Sequence, residues 1–99
     1  MRFDWNTDKA LKNEKKHDSV SFEEAVEVFY DESAVEDFDD EHSDTEETRF
    51  VRIGNSSKRL LRVSFTVRKD ENDADEIIRI ISARKGKTKE EEIYYEQNR

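Results

Sequence analysis

Three arginines in this chain are suited to holding an anion: Arg68, Arg79 and Arg84. A guanidinium never loses its charge in a protein, and its planar fork can pair with two oxygens of one phosphate. All three lie on segments that read as neighbouring strands, so convergence on a single anion is feasible. Arg79 and Arg84 are the stronger candidates, and one of the three is expected to serve only as an ion-pair partner for Glu47 or Glu91. Candidates for moving protons are His17, whose side-chain type titrates near neutrality, and Glu47, Glu91 and Tyr95, which become usable if burial shifts them. His17 has a competing reading as a cation at the end of a helix. Lys9, Lys16 and Lys85 are candidates to track further negative charge, or else to solvate exposed faces.

These side chains need elements to hold them. The run Ile77-Ile78-Arg79-Ile80-Ile81-Ser82-Ala83-Arg84-Lys85 reads as a central strand, because isoleucine is β-branched and apolar residues occupy both parities. Leu61, Val63, Phe65 and Val67 alternate with Arg62, Ser64, Thr66 and Arg68, the two-residue rhythm of a half-buried strand. Glu47 through Ile53 predicts another, closed by the Gly54-Asn55-Ser56-Ser57 turn, and Asp70 to Asp75 makes a hairpin loop. Arg2-Phe3-Asp4-Trp5 reads as a short first strand with two aromatics to bury. Asn6 or Asp8 can cap a helix through about Lys16, with Ala10, Leu11 and Asn13 on its inner side. Ser21-Phe22-Glu23-Glu24 is a capping box that opens a second helix with Ala25, Val26, Val28 and Phe29 on its apolar stripe. A short strand falls between Tyr30 and Asp40, and a last helix starts at Gly86 or Thr88 and runs to about Gln97. The expected fold class is α+β: a short N-terminal strand, two early helices, an antiparallel sheet and a C-terminal helix in a single domain, 1–99.

Composition narrows the function classes. With 99 residues, 44% charged and 32% apolar, the chain can afford one modest core. It has no cysteine, which excludes disulfides and thiolate chemistry. No apolar run approaches membrane-spanning length, and the expectation is a cytoplasmic protein. His17 and His42 stand far apart without further ligand spacing. The Asp39–Asp44 loop lacks the central glycine of a calcium loop, so no metal or other cofactor is expected. The net charge of −8 hides a strong segregation. Residues 23–47 carry thirteen acids and no Lys or Arg, whereas 49–69 carry seven cations and no acid. Such a pattern can place a basic face on an acidic protein.

The order of residues also resembles a known family. Phe3-x-Trp5 with Lys9, Asn13 and Lys16-His17, then Val20-Ser21-Phe22-Glu23-Glu24-Ala25 and Val28-Phe29, is similar to the opening of the BrnT toxins. The likeness continues through His42-Ser43, Glu46-Glu47, Arg49-Phe50, Ile53-Gly54, Thr66-x-Arg68 and the Arg79–Lys85 run, and closes on Thr88-Lys89, Glu91 and Tyr95-Glu96. Two departures stand out: Asp18-Ser19 where the family usually has one glycine, and Gly86-Lys87 where it has one small residue.

The resemblance implies a type II toxin of RelE-like fold, a metal-independent endoribonuclease that inhibits translation. It also implies a BrnA-type antitoxin partner, a ribbon-helix-helix dimer through which operator DNA is bound. In that setting the RNA's own 2′-OH attacks the adjacent phosphodiester. The arginines would stabilise the phosphoryl oxygens, and His17, Glu47, Glu91 or Tyr95 would move protons. Tyr95 has the alternative role of stacking on a base. A different class of reading, an inactive module that only binds antitoxin or RNA, suits the heavy acid load.

Overall fold

A computed structural model describes residues 1–44, 47–72 and 75–98. The elements run β1 (Arg2–Asp4), α1 (Thr7–Lys16), α2 (Phe22–Glu27), a 3-10 turn (Val28–Tyr30), β2 (Val35–Phe38), β3 (Arg49–Asn55), β4 (Leu60–Lys69), β5 (Glu76–Lys85) and α3 (Thr88–Gln97). The fold class is the expected α+β. Residues 45–46 of the acidic stretch and 73–74 of the Asp70–Asp75 loop lie outside the described residues. The loop's ends do close, through a bond from Asp70 N to Asp75 O at 2.8 Å.

The five strands form one sheet in the order β1-β5-β4-β3-β2. β2 through β5 are antiparallel, as the short loops require, but β1 adds to β5 in parallel, with Asp4 opposite Arg79. The sheet is therefore mixed rather than wholly antiparallel. Beyond Asp4 the outer edge of β5 has lost its partner strand, and α1 supplies a substitute. Buried Asn13 accepts from Ala83 N at 3.1 Å and donates from Nδ2 to Ala83 O at 2.7 Å and to Val20 O at 3.0 Å. One side-chain amide thus continues the ladder where the backbone would otherwise be orphaned.

One face of the sheet carries the main core. Leu61, Val63 and Phe65 from β4 and Ile78, Ile80 and Ala83 from β5 pack under Ala10, Val20, Phe22, Ala25, Val28 and Phe29. Trp5, half-buried, packs edge-on against the core's Phe22 at 5.9 Å between ring centroids. On the opposite face α3 lays Tyr94 and Ile93 over Val51, Ile53 and Leu60. Tyr94 donates to Asp31 at 2.9 Å, and Asp31 also accepts from Asn55 N at 2.8 Å. Gly54 lets this corner close: a Cβ there would stand 2.9 Å from Ala34 Cβ and Val28 Cγ1.

Two local outcomes differ from the sequence reading. The second helix is shorter, because Val28–Tyr30 tightens into the 3-10 turn. The capping box forms by half: Ser21 accepts from Glu24 N at 2.9 Å, but the Glu24 carboxylate turns away to Arg59. Arg59 grips it twice, Nε to Oε2 at 3.0 Å and Nη2 to Oε1 at 2.8 Å, while Ser56 Oγ donates to Oε2 at 2.7 Å.

The Asp18-Ser19 turn has its own cost. Both residues have positive φ, 50° and 60°. A side chain in this region crowds the backbone by about 1–2 kcal/mol. Asp18 is among the better-tolerated types there, whereas serine is less suited. Ser19→Gly is expected to stabilise the fold by about 1 kcal/mol, less its gain in unfolded-state freedom; urea titration of the two proteins checks it.

Candidate active site: an arginine-lined sheet face

The register decides which side chains share the side not covered by α1 and α2. On β4 they are Arg62, Ser64, Thr66 and Arg68, opposite Arg84, Ser82, Arg79 and Ile77 of β5. Arg79 and Arg84 differ in parity, so a regular strand would send them to opposite faces. The pairing shifts by one residue between Ser64 and Phe65, leaving Ile81 as an extra residue on β5. This bulge brings both arginines to one side and keeps Ile78, Ile80 and Ala83 together on the other. Because α3 covers only the β3 end, the remainder of the face is rich in guanidinium and hydroxyl donors.

The candidates divide between two clefts. In the first, Glu47, Thr48, Thr66, Val67, Arg68 and Arg79 line one depression. Thr66 Oγ1 donates to Thr48 O at 2.7 Å, and Arg49 Nε donates to Glu47 Oε1 at 2.9 Å. Asp4 draws the two cleft arginines together: its Oδ1 accepts from Arg79 Nη1 at 3.1 Å and its Oδ2 accepts from Arg68 Nη2. Arg68 is about half exposed (53%) and Arg79 less so (36%), so both forks retain access to a ligand. A carboxylate spanning two guanidinium groups is an anion held by two forks, a contact that phosphate oxygens are also able to make.

The second cleft lies at the far end of β5, lined by His17, Asp18, Arg84, Lys85, Gly86, Lys87, Thr88 and Glu91. A groove beside it runs along α1 past Lys9, Lys12, Asn13, Lys16 and His17 to Ile81 and Ser82. Burial lowers the His17 pKa from its ordinary 6.5, and the Lys16, Arg84 and Lys87 charges lower it further against an opposing pull from Asp18. The neutral imidazole is thereby favoured at pH 7. Arg84 donates to Glu90 Oε1 at 2.7 Å, which also accepts from Lys87 N at 2.9 Å. Burial raises the Glu90 pKa, but these bonds and the neighbouring Arg84 and Arg62 charges outweigh it and hold the group below the ordinary glutamate range.

Arg68 and Arg79 therefore meet, with Glu47, whereas Arg84 stands apart with His17, Lys85 and Glu91. Four residue steps along β4 lead from the Thr66–Arg79 rung to the Arg62–Arg84 rung, about 13 Å at roughly 3.3 Å per residue. Convergence of all three arginines on one phosphate is not what the register provides. Their ion partners are also other than expected: Asp4 for Arg68 and Arg79, and Glu90 rather than Glu91 for Arg84. Tyr95 is exposed (60%), lies edge-on to Tyr94 at 5.2 Å between ring centroids, and lines neither cleft. Around the expected acidic loop, Ser43 Oγ donates to Asp39 O at 2.7 Å, and His42 Nδ1 sits 2.9 Å from Asp39 Oδ2. Among the described residues no group of three His, Cys, Asp or Glu side chains is placed to hold a metal ion.

Asp4 and Arg62 are the site residues that sequence reasoning passed over. Asp4 alternates with Phe3 and Trp5, which signals the opposite face, but its arginine partners depend on a parallel pairing that no short-range pattern encodes. Arg62 reads as an ordinary solvated position in an alternating strand.

The arginines on the sheet face that α1 and α2 leave uncovered are of a chemical type that can receive an anionic ligand. This chain belongs to the BrnT family, described as ribonuclease toxins of type II toxin-antitoxin systems, whose family model matches residues 5–90. Membership in such a system makes an antitoxin its partner. No curated protein matches the sequence closely enough to add an individual relative.

Proposed function

We propose that this chain is a metal-independent endoribonuclease that inhibits translation in the cytoplasm, and that residues 1–99 act as one toxin unit. The convergence of Arg68 and Arg79 on one carboxylate beside Glu47 and Thr66 is the observation that carries this reading. A phosphodiester takes the place of the Asp4 carboxylate between the two guanidinium groups. Glu47 removes the 2′-OH proton, and the 2′-oxygen attacks phosphorus. Arg68 and Arg79 stabilise the charge on the non-bridging oxygens, and the departing 5′-oxygen takes a proton from solvent. The products are a 2′,3′-cyclic phosphate and a 5′-hydroxyl. Lys9, Lys16 and Lys85, with His17 and Arg84 among them, hold RNA beyond the scissile bond rather than at it.

Incubating the purified protein with single-stranded RNA in excess chelator tests this. Cleavage leaving cyclic-phosphate ends is expected; RNA that binds but stays intact would overturn it. That second outcome defines the alternative, an inactive binding module. The observation in its favour is that Arg68, Arg79 and Glu47 already have protein ion partners.

The antitoxin of this reading is a BrnA-type ribbon-helix-helix dimer that carries the pair to operator DNA. An amphipathic antitoxin segment lying over the arginine face would exclude RNA and supply acids to the exposed forks. Its association rate is expected to fall as salt rises from about 0.05 to 0.5 M, because screening shortens the reach of the field. Stopped-flow mixing measures this, and a rate flat across that range would count against the docking face.

A further inference from the structure

The Arg68–Arg79 cleft does not exhaust the donors on this face. Farther along the same ladder Arg62 and Arg84 stand directly opposite one another. Like charges at paired positions repel, and here the repulsion is only partly relieved. Glu90 accepts from Arg84, whereas Arg62 makes no hydrogen bond or ion pair among the described residues, although Glu90 lies near enough to feel its charge. Between the two arginine rungs, Ser64 and Ser82 are also paired, and neither hydroxyl has a hydrogen-bond partner among the described residues. Ser64 is buried and Ser82 half-buried, yet neither hydroxyl is fully enclosed, so each keeps some contact with the surface. A half-buried, unpaired arginine facing a second arginine across a strand pair is a poor arrangement for stability alone. It becomes a good one when an anion is shared between them.

We infer that Arg62 and Arg84 form a second phosphate subsite, which binds the same RNA strand whose scissile phosphate lies at Arg68 and Arg79. Ser64 and Ser82 lie under the intervening backbone. The inference rests on the ribonuclease reading of the first cleft and adds the direction of the strand, along the β4–β5 hairpin. The separation of about 13 Å is about two links of an unstacked strand, each roughly twice the 3.4 Å stacked rise. Glu90 holds Arg84 in place while leaving the Arg62 fork for the phosphate. A substrate with one phosphodiester reaches only the first cleft, whereas a longer strand engages both.

The test uses two uncleavable probes, a 2′-O-methylated hexanucleotide and the corresponding dinucleotide, titrated against the wild-type protein, Arg62→Ala and Arg62→Gln at several salt concentrations. Loss of one charge-assisted phosphate contact is expected to weaken hexanucleotide binding about tenfold and to reduce the salt slope by about 0.7, the single-strand value for one phosphate. Dinucleotide binding should be unchanged. Neither variant should melt earlier than the wild type, since no hydrogen-bonded partner is stranded, and the glutamine variant preserves side-chain bulk if alanine does not fold. Unchanged hexanucleotide binding, or an equal loss for both probes, overturns the subsite. A length-dependent loss in a protein that leaves unmodified hexanucleotide intact would keep the subsite and refute the ribonuclease reading. Binding of neither probe by the wild type would refute both.

Discussion

Arg79→Ala lowers RNA cleavage by about 100- to 1,000-fold, the loss that follows removal of one preorganised donor from developing oxyanion charge. Arg79 is the better held of the two first-cleft arginines: β5 lies inside the sheet between β1 and β4, and its side chain is the less exposed of the two. Arg79→Lys should recover only part of the rate, because a point charge cannot span two phosphoryl oxygens as a fork does. Arg68→Ala should cost less, since that side chain is about half exposed and sits near the end of β4. The fold should survive each change, because ion pairs this exposed contribute little to stability. Initial cleavage rates, read beside melting curves and antitoxin binding, decide the matter. A folded Arg79→Ala protein that cuts at the wild-type rate would remove the first cleft from the mechanism.

A second large effect lies away from the chemistry. Glu24→Ala should cost about 3 kcal/mol, at the lower end for breaking a buried ion pair, because the stranded Arg59 keeps some contact with water. Glu24 is 5% exposed and receives both arms of the Arg59 fork as well as the Ser56 hydroxyl. Arg59 also donates to Asp18 O at 3.1 Å, so one guanidinium joins α2, the β3–β4 turn and the strained turn after α1. The Arg59 hydrogen bond, chiefly, holds the Glu24 pKa below its ordinary 4.5. A depressed carboxylate stabilises the fold above the unfolded-state pKa, and that contribution fades as pH falls through the folded-state value. The stability gap between wild type and Glu24→Gln should therefore be full at pH 7 and shrink below about pH 4.5. Urea titrations at both pH values measure it. A gap independent of pH would mean that packing, not charge, accounts for the loss.

Local patterns made most of the elements legible. The alternation at 61–68 defined β4, and Asn6 and Ser21 marked two helix starts, while the turn expected from Gly54 begins only after Asn55, because Gly54 and Asn55 still pair with Leu61 and Leu60. What could not be read were relations between distant segments. Parallel docking of β1 on β5 put Asp4 beside Arg79, and the reach of Glu24 to Arg59 replaced a local cap with a long-range one. The arginine types were visible, but their grouping depended on the pairing register. The same register separated Arg84 from the other two and exposed Arg62 as its neighbour.

The extra residue at Ile81 also constrains how the chain can vary. It acts like a frameshift in a two-letter rhythm: every position after it answers to the opposite phase from every position before it. Pairing it as a regular rung would exchange the sides of Ala83 and Arg84 and drive a cation toward the apolar layer, whereas deleting it would leave a strictly alternating strand with both residues on their present sides. A conservative substitution at Ile81 would leave the sides untouched as well. Between Ile80 and Ala83 a relative can therefore lack one residue and still present its arginines on the same face. An alignment that opens a one-residue gap there keeps both arginines in correspondence, and one that forces the strands to match without it does not.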